Sequence, residues 1–227
     1  MSDEHTQLGP VTRTLAAMLS ARDLPGDLPA DPMPLLIGWL DEAKRSGRYD
    51  DPNAMTLATA TVGGVPSARI VLCKAVEPDP PALVFFTNYL SRKGRELAEN
   101  PRAAAVFHWP HAGRQARVEG VVERTTAAES DAYFDSRPLI SRIGAIVSRQ
   151  SEEIESRAQL IESALREARG CALGARPKRP DHWGGFRLRI TSVELWSAGN
   201  GRLHDRLCWV RADGRAGADW TVRRLSP

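Results

Sequence analysis

The stretch MTLATATVGGVPSARIVLCKAV, residues 55–76, decides the fold. Small and β-branched residues run up to Gly63-Gly64, and a second such run follows from Val65 to Ala75. These side chains suit a pleated, half-buried surface, and paired glycines supply the backbone freedom of a tight hairpin turn. The stretch therefore predicts two antiparallel strands. Downstream, Leu83 to Thr87 reads as a third strand, and Ala103 to Trp109 and Gln115 to Arg124 as two more around a turn with Pro110 and Gly113. After a Pro/Lys/Arg loop from Arg176 to Pro180, strands return at Phe186 to Trp196, Leu203 to Arg211 and Trp220 to Leu225.

Helices are few and separated. Asp31-Pro32 opens one with an apolar stripe of Leu35, Leu36, Trp39, Leu40 and Ala43, ended by Gly47. Ser91 to Asn100 is a short second, and Thr126 with Glu129 has capping-box spacing for a third through Phe134, stopped near Pro138. The longest is expected from about Glu152 to Ala168, with Ile154, Leu160, Ile161, Ala164 and Leu165 inward and Gly170 just past its end. This order lacks the strict alternation of a parallel sheet, so the expected class is mainly antiparallel β, a barrel with helices packed outside. Residues 1–30 read as a mobile arm, and 31–227 as a single domain.

Of 227 residues, 42% are hydrophobic, and 31 Lys and Arg against 28 Asp and Glu leave a net charge of +3. That excess is too small and scattered for nucleic acid, and small phosphorylated ligands are the better expectation. Three cysteines without CxxC spacing disfavour a disulfide framework or a zinc site, and no metal is expected. No apolar run approaches the length of a membrane span, and the first residues lack a signal-peptide core, so the expected compartment is the cytoplasm.

Four constellations bear on chemistry. Arg202, His204 and Arg206 alternate and would share one face of a strand, where three cations call for an anion or an electron-rich ring; a solvated edge strand is the alternative. Ser91-Arg92-Lys93-Gly94 puts two cations at a helix start, where backbone N–H groups already favour phosphate. Tyr133 and Arg137 share a helix face with Ser141 just beyond, a set suited to phosphate, although an arginine capping its own helix serves equally. Arg69 and Lys74 flank an apolar run and point to opposite faces of a straight strand.

Taken in order, PNAMTLAT (52–59), PSARIVLCK (66–74), FFTNYLSRKGRELAENP (85–101), RQARVEG (114–120), SDAYFDSRP (130–138), SRIGAIVSRQS (141–151), WGGFRL (183–188) and RLHDRL (202–207) resemble the pyridoxamine 5′-phosphate oxidase family. The resemblance implies an FMN-binding split β-barrel, homodimeric, with two sites along the subunit interface. It implies oxidation of pyridoxamine or pyridoxine 5′-phosphate by O2, giving pyridoxal 5′-phosphate and hydrogen peroxide. FMN would be held by Arg69, Ile70, Val71, Leu72, Cys73 and Lys74, by Phe86 and Thr87, by Arg92 and Lys93, and by Gln115, Gln150, Ser151, Trp196 and Arg206. Arg206 is the candidate to stabilise charge on the flavin. Lys74, Tyr133, Arg137 and Ser141 would grip the substrate phosphate, while Arg202, Leu203 and His204 lie across its ring, with Arg202 and His204 catalytic. The chain departs from the family at Trp196-Ser197-Ala198-Gly199, where Trp-Gln-Gly is usual, and at Arg142 and Ile146, where Gln and Trp are common. Two alternatives stand beside this reading: a phenazine-pathway oxidase of the same fold, and a non-catalytic carrier of flavin or pyridoxal phosphate.

Overall fold

The computed structural model describes residues 12–13, 24–211 and 219–227. Helix α1 (Met33–Ser46) begins where Asp31 Oδ1 accepts the Met33 N–H at 2.9 Å, and it buries Met33, Leu36, Trp39, Leu40 and Ala43. Strand β1 (Ala54–Ala60) turns at the Gly63-Gly64 pair into β2 (Pro66–Leu72), with Leu57 opposite Arg69. Then come β3 (Ala75–Pro78), β4 (Pro81–Asn88), α2 (Arg92–Glu99), β5 (Arg102–Trp109), β6 (Arg114–Arg124), α3 (Ala127–Ser136), α4 (Leu139–Val147), α5 (Arg157–Ala172), β7 (Trp183–Ser197), β8 (Asp205–Arg211) and β9 (Trp220–Arg224).

Among the described residues, nine strands form one antiparallel sheet in the order β2-β1-β5-β6-β7-β4-β3, with β8 on β7 and β9 on β8. Strand β7 organises it. Its first half pairs with β4, its second half with β8, and β6 lies along most of its length. The far edges, β2 and β3, are joined through Cys73 and Lys74: Cys73 N donates to Asn53 O at 2.9 Å just before β1, and Lys74 N to Val84 O at 2.7 Å on β4, so the sheet curls round as a barrel. Leu57, Leu83, Phe85, Phe107, Val118, Leu188 and Trp209 fill it and are essentially unexposed. A smaller cluster of Phe134, Ala145 and Trp183, flanked by Phe86, Tyr133 and Ile146, joins α3 and α4 to the start of β7.

Several expectations need correction. Helix α5 starts at Arg157 because Ser156 caps it through the Gln159 N–H, and Gly170 lies inside the helix. The expected face is not inward: Ile154 precedes the helix and is 53% exposed, and Ile161 and Leu165 within it are 48% and 53% exposed. Helix α4 and strand β3 were not expected. Of the arm, residues 1–11 and 14–23 lie outside the described residues, but residues 24–30 are fastened to the barrel. Leu24 is buried, Trp209 Nε1 donates to Pro29 O at 2.7 Å, and Arg224 Nη2 donates to Pro25 O at 2.8 Å.

Burial of Leu57 at the centre of the β1 ladder sets a first prediction. Leu57→Ala should lower unfolding free energy by about 2–5 kcal/mol, because a closed barrel cannot collapse onto the cavity. Urea denaturation measures this, and an unchanged midpoint would contradict the packing described.

Candidate active site

A cleft of about 960 Å³ opens between β2, the end of β4, the start of α2, and helices α3 and α4. Such a volume suits a ligand of cofactor size. Of the residues singled out in the sequence, Arg69, Ile70, Val71, Leu72, Lys74, Phe86, Thr87, Arg92, Lys93, Tyr133, Arg137, Ser141, Gln150 and Ser151 all line it. Arg69 and Lys74 both reach it although their separation is odd, because β2 ends at Leu72 and Lys74 lies beyond the regular alternation. Cys73 does not line it. Its thiol is buried and donates to Ala75 O, and burial pushes it up to about 12, leaving an inert core group.

The polar end of the cleft is built on α2. Ser91 caps the helix, its Oγ accepting the Gly94 N–H at 3.3 Å. A Cβ on Gly94 would lie 2.1 Å from Tyr89 O, so only glycine lets the helix start this close to β4. Lys93 is 7% exposed, and its ammonium donates to Ser91 Oγ at 3.1 Å and Gln150 Oε1 at 2.6 Å. Both partners are neutral. Desolvation, with the nearby Arg69 charge, pulls its pKa down to about 8. Ser151, at φ 73°, accepts the Arg92 N–H at 3.1 Å and ties the loop after α4 to this helix start.

A residue the sequence reading missed lies beneath these cations. Glu96 is 4% exposed. One carboxylate oxygen accepts from Thr59, from Ser67 at 2.6 Å and from Arg69 at 3.4 Å; the other accepts Arg92 Nε at 2.9 Å. Burial alone would raise its pKa, but the bonds from Ser67, Thr59 and Arg92 outweigh it and hold the group at about 2. Arg69 also donates to Leu57 O and Thr59 through Nη1 and to Ser67 through Nη2, so its terminal nitrogens are committed inward. Desolvation lowers its pKa.

The other end of the cleft is aromatic. Phe86 stacks on Tyr133 with centroids 3.9 Å apart and faces Trp183 at 5.7 Å. Arg137 lies over the Trp183 ring at 4.6 Å, and its Nη1 is buried without a hydrogen-bond partner. Desolvation lowers its pKa. A guanidinium N–H buried beside a hollow and left unsatisfied marks a place for an acceptor.

Gln115, Trp196, Arg202, Leu203, His204 and Arg206 do not line this cleft. They gather at the opposite end of β7, where Gln115, Trp196 and Arg206 occupy one register row across β6, β7 and β8. The expected single strand face for Arg202, His204 and Arg206 is corrected. Strand β8 begins at Asp205, and Arg202 closes a one-turn helix with φ 65°. That turn folds back on Gly199, where a Cβ would meet Leu203 O at 1.8 Å. His204 instead packs on Trp196 with centroids 4.6 Å apart, and its Nδ1 accepts the Gly199 N–H at 3.2 Å, which leaves Nε2 to carry the proton. Arg206 is not a free cation: Nε donates to Glu194 Oε1 at 3.0 Å, and Arg117 holds the other oxygen of that buried carboxylate at 2.7 Å.

A split barrel with a cationic and aromatic cleft defines the class: a member of the FMN-binding split-barrel fold. Residues 41–171 match the family model described as pyridoxamine 5′-phosphate oxidase, and 183–227 match the pyridoxine 5′-phosphate oxidase C-terminal dimerisation region. The chain belongs to the pyridoxamine 5′-phosphate oxidase family. It is 48% identical over 223 residues to a pyridoxine/pyridoxamine 5′-phosphate oxidase of Cupriavidus metallidurans, covering 98% of this chain and 100% of that one. It is 52% identical over 189 residues to the protein of the same name from Burkholderia thailandensis, covering 83% and 86%. Among solved structures, PhzG from Burkholderia lata 383 in complex with tetrahydrophenazine-1-carboxylic acid is 33% identical, with TM-score 0.80 over 88% of this chain and 95% of that one. An FMN-binding protein of Nostoc punctiforme, 18% identical with TM-score 0.67 over 86% and 97%, shares the fold.

The buried ammonium sets a second prediction. Its folded pKa of about 8 lies below the ordinary 10.5, so between those values the folded state binds fewer protons than the unfolded chain, and stability rises with pH. At pH 7 ligand-free Lys93→Met should be more stable than wild type by about 1–3 kcal/mol, with the gap closing as pH climbs past 8 toward 10. Thermal unfolding across that range checks this; a pH-independent gap would contradict it.

Proposed function

We propose that this chain is an FMN-dependent oxidase that converts pyridoxamine 5′-phosphate or pyridoxine 5′-phosphate to pyridoxal 5′-phosphate and works as a homodimer. With the amine, substrate, O2 and water give aldehyde, ammonia and hydrogen peroxide; with the alcohol, substrate and O2 give aldehyde and peroxide. The observation that carries the reading is a pair of cationic groups in one cleft, the Lys93 ammonium bonded to neutral partners and the Arg137 guanidinium with its Nη1 orphaned. Both fit phosphate monoesters, one from the cofactor and one from the substrate. When bound, FMN supplies the two-electron acceptor for hydride leaving the substrate C4′ carbon and passes those electrons to O2.

The protein's part is positioning and charge. Lys93, Arg92 and Ser151 hold the cofactor phosphate and ribityl chain, with Arg69 adding its charge from behind. Ile70, Val71, Leu72, Phe86, Thr87 and Gln150 line the remaining wall. Lys74, Tyr133, Arg137 and Ser141 seat the substrate phosphate at the aromatic end, where Phe86 and Trp183 keep water out.

Gln115, Trp196, Arg202, Leu203, His204 and Arg206 belong to the same site only if a second chain supplies them. Trp183 and Trp196 lie thirteen residues apart on β7, roughly 40 Å of strand. A single mononucleotide cannot touch both ends of that strand in one chain. Two chains related by a two-fold axis bring the end of one β7 to the cleft of the other. There Arg202 and His204 cover the substrate ring, with the His204 Nε2 proton available as a donor. The match of the last 45 residues to a dimerisation region supports this arrangement.

The resemblance to PhzG supports a second reading, oxidation of a reduced phenazine acid. The four residues that seat a substrate phosphate favour the vitamin substrate. An aerobic assay following aldehyde and peroxide with pyridoxine 5′-phosphate tests the choice; peroxide formed only with a dihydrophenazine acid would select the second reading.

Purified protein should be yellow and release FMN on heating; release of FAD, or apoprotein without flavin affinity, would end the proposal. Arg137→Ala should raise KM for the phosphorylated substrate about tenfold or more, with a much smaller change in FMN affinity. Steady-state kinetics beside flavin titration would reveal the opposite pattern if the roles are misassigned.

A further inference from the structure

We infer that Glu96 is the positioning residue of the phosphate cradle: its buried carboxylate seats Arg92 by Nε and turns the terminal guanidinium nitrogens toward the ligand. The inference rests on the reading of this cleft as a cofactor-phosphate site. Arg92 has a side chain 57% exposed, so nothing else comparable restrains it, whereas the carboxylate that grips it is 5% exposed. Gripping an arginine at Nε leaves its two Nη groups as a free fork, the geometry that phosphate oxygens accept bidentately. The same carboxylate fixes Ser67 and Thr59 and meets Arg69, so one group aligns both walls of the cradle. Charge agrees with the assignment. Arg69, Arg92 and Lys93 against one carboxylate leave a surplus of two positive charges, which matches a phosphate monoester near neutral pH.

Two effects of Glu96 oppose each other. Its negative charge repels the incoming phosphate, while its bonds organise the cations that attract it. The bonding pattern decides which wins. Thr59, Ser67, Arg69 and Arg92 all donate to Glu96. The Thr59 and Ser67 hydroxyls can turn and accept, but glutamine would still set its NH2 against Arg92 Nε in one orientation and Arg69 Nη2 in the other, unseating one arginine or the other. Loss of organisation outweighs relief of repulsion.

The test compares wild type, Glu96→Gln and Glu96→Asp, the last keeping the charge on a shorter stem in case the amide fails to fold. Apoprotein is titrated with FMN, with riboflavin, which lacks the phosphate, and by calorimetry with inorganic phosphate. We expect Glu96→Gln to weaken FMN and inorganic phosphate about tenfold or more and riboflavin less than about twofold, with Glu96→Asp between. In an Arg92→Ala background the glutamine substitution should weaken FMN by a smaller factor than it does in wild type, because only the Arg69 wall is then left to disturb. Equal or tighter FMN binding by Glu96→Gln would overturn the inference while leaving the cofactor reading intact. Equal losses for FMN and riboflavin would overturn it in favour of a merely structural role. Glu96-dependent binding of inorganic phosphate by a wild type that ignores FMN would uphold the inference and refute the cofactor.

Discussion

A lysine ammonium sunk at the start of an eight-residue helix, hydrogen-bonded to a hydroxyl and an amide oxygen and close to a second cation, Arg69, is the constraint on which the cleft is built. Burial of a charge without a counter-ion is costly, and the fold tolerates it only because surrounding elements over-determine the position. Gly94 lets the helix press against Tyr89, Ser91 caps it, and Ser151 reaches across from the loop after α4 to hold the Arg92 N–H. Two separate segments, residues 89–94 and the loop carrying Ser151, thus converge on one helix terminus. In the proposed function, the cost carried by the ligand-free protein becomes affinity for the incoming phosphate.

In the proposed two-chain site, the barrel serves as a ruler between the half-sites. Strand β7 begins with Trp183 in the floor of the cleft and reaches Trp196 beside His204 at its far end. Hydrogen bonding to β4, β6 and β8 keeps that spacing rigid, so neither group can migrate toward the other within a chain. Arg206 carries a further lesson. Its pairing with Glu194 makes it part of a buried ion network, in which Arg117 shares the same carboxylate. Its proximity to a cofactor would then act through a neutralised pair rather than a bare cation.

What the sequence made legible was local chemistry. The hairpin around Gly63-Gly64, the Asp31-Pro32 helix start, the Ser91 cap and the Thr126/Glu129 capping box each depend on neighbours within a few residues, and all are present. The expectation for α5 failed because an apolar stripe says which face is sticky, not what covers it. Placing Arg202 and His204 on one strand face extends the alternation three residues too far; Gly199 and Gly201 are the turn signal that corrects it. Glu96 was invisible for another reason. Its partners Thr59 and Ser67 lie 37 and 29 residues away on a hairpin, and only the closed barrel brings them beneath α2. The cationic motif could be read as a phosphate signal, but the carboxylate that organises it reads as one more charge on a helix.

The central claim is that a cleft from one chain and the Trp196–His204 group from another form one working site. Hybrid dimers test it most directly: Lys93→Met and Arg202→Ala chains are co-expressed with different tags, and the mixed dimer is isolated and assayed. Each parent dimer should be inactive, whereas the hybrid retains one intact site of two and should recover about half the activity of wild type per dimer. A hybrid as inactive as its parents would place both groups in one chain's site and contradict the account.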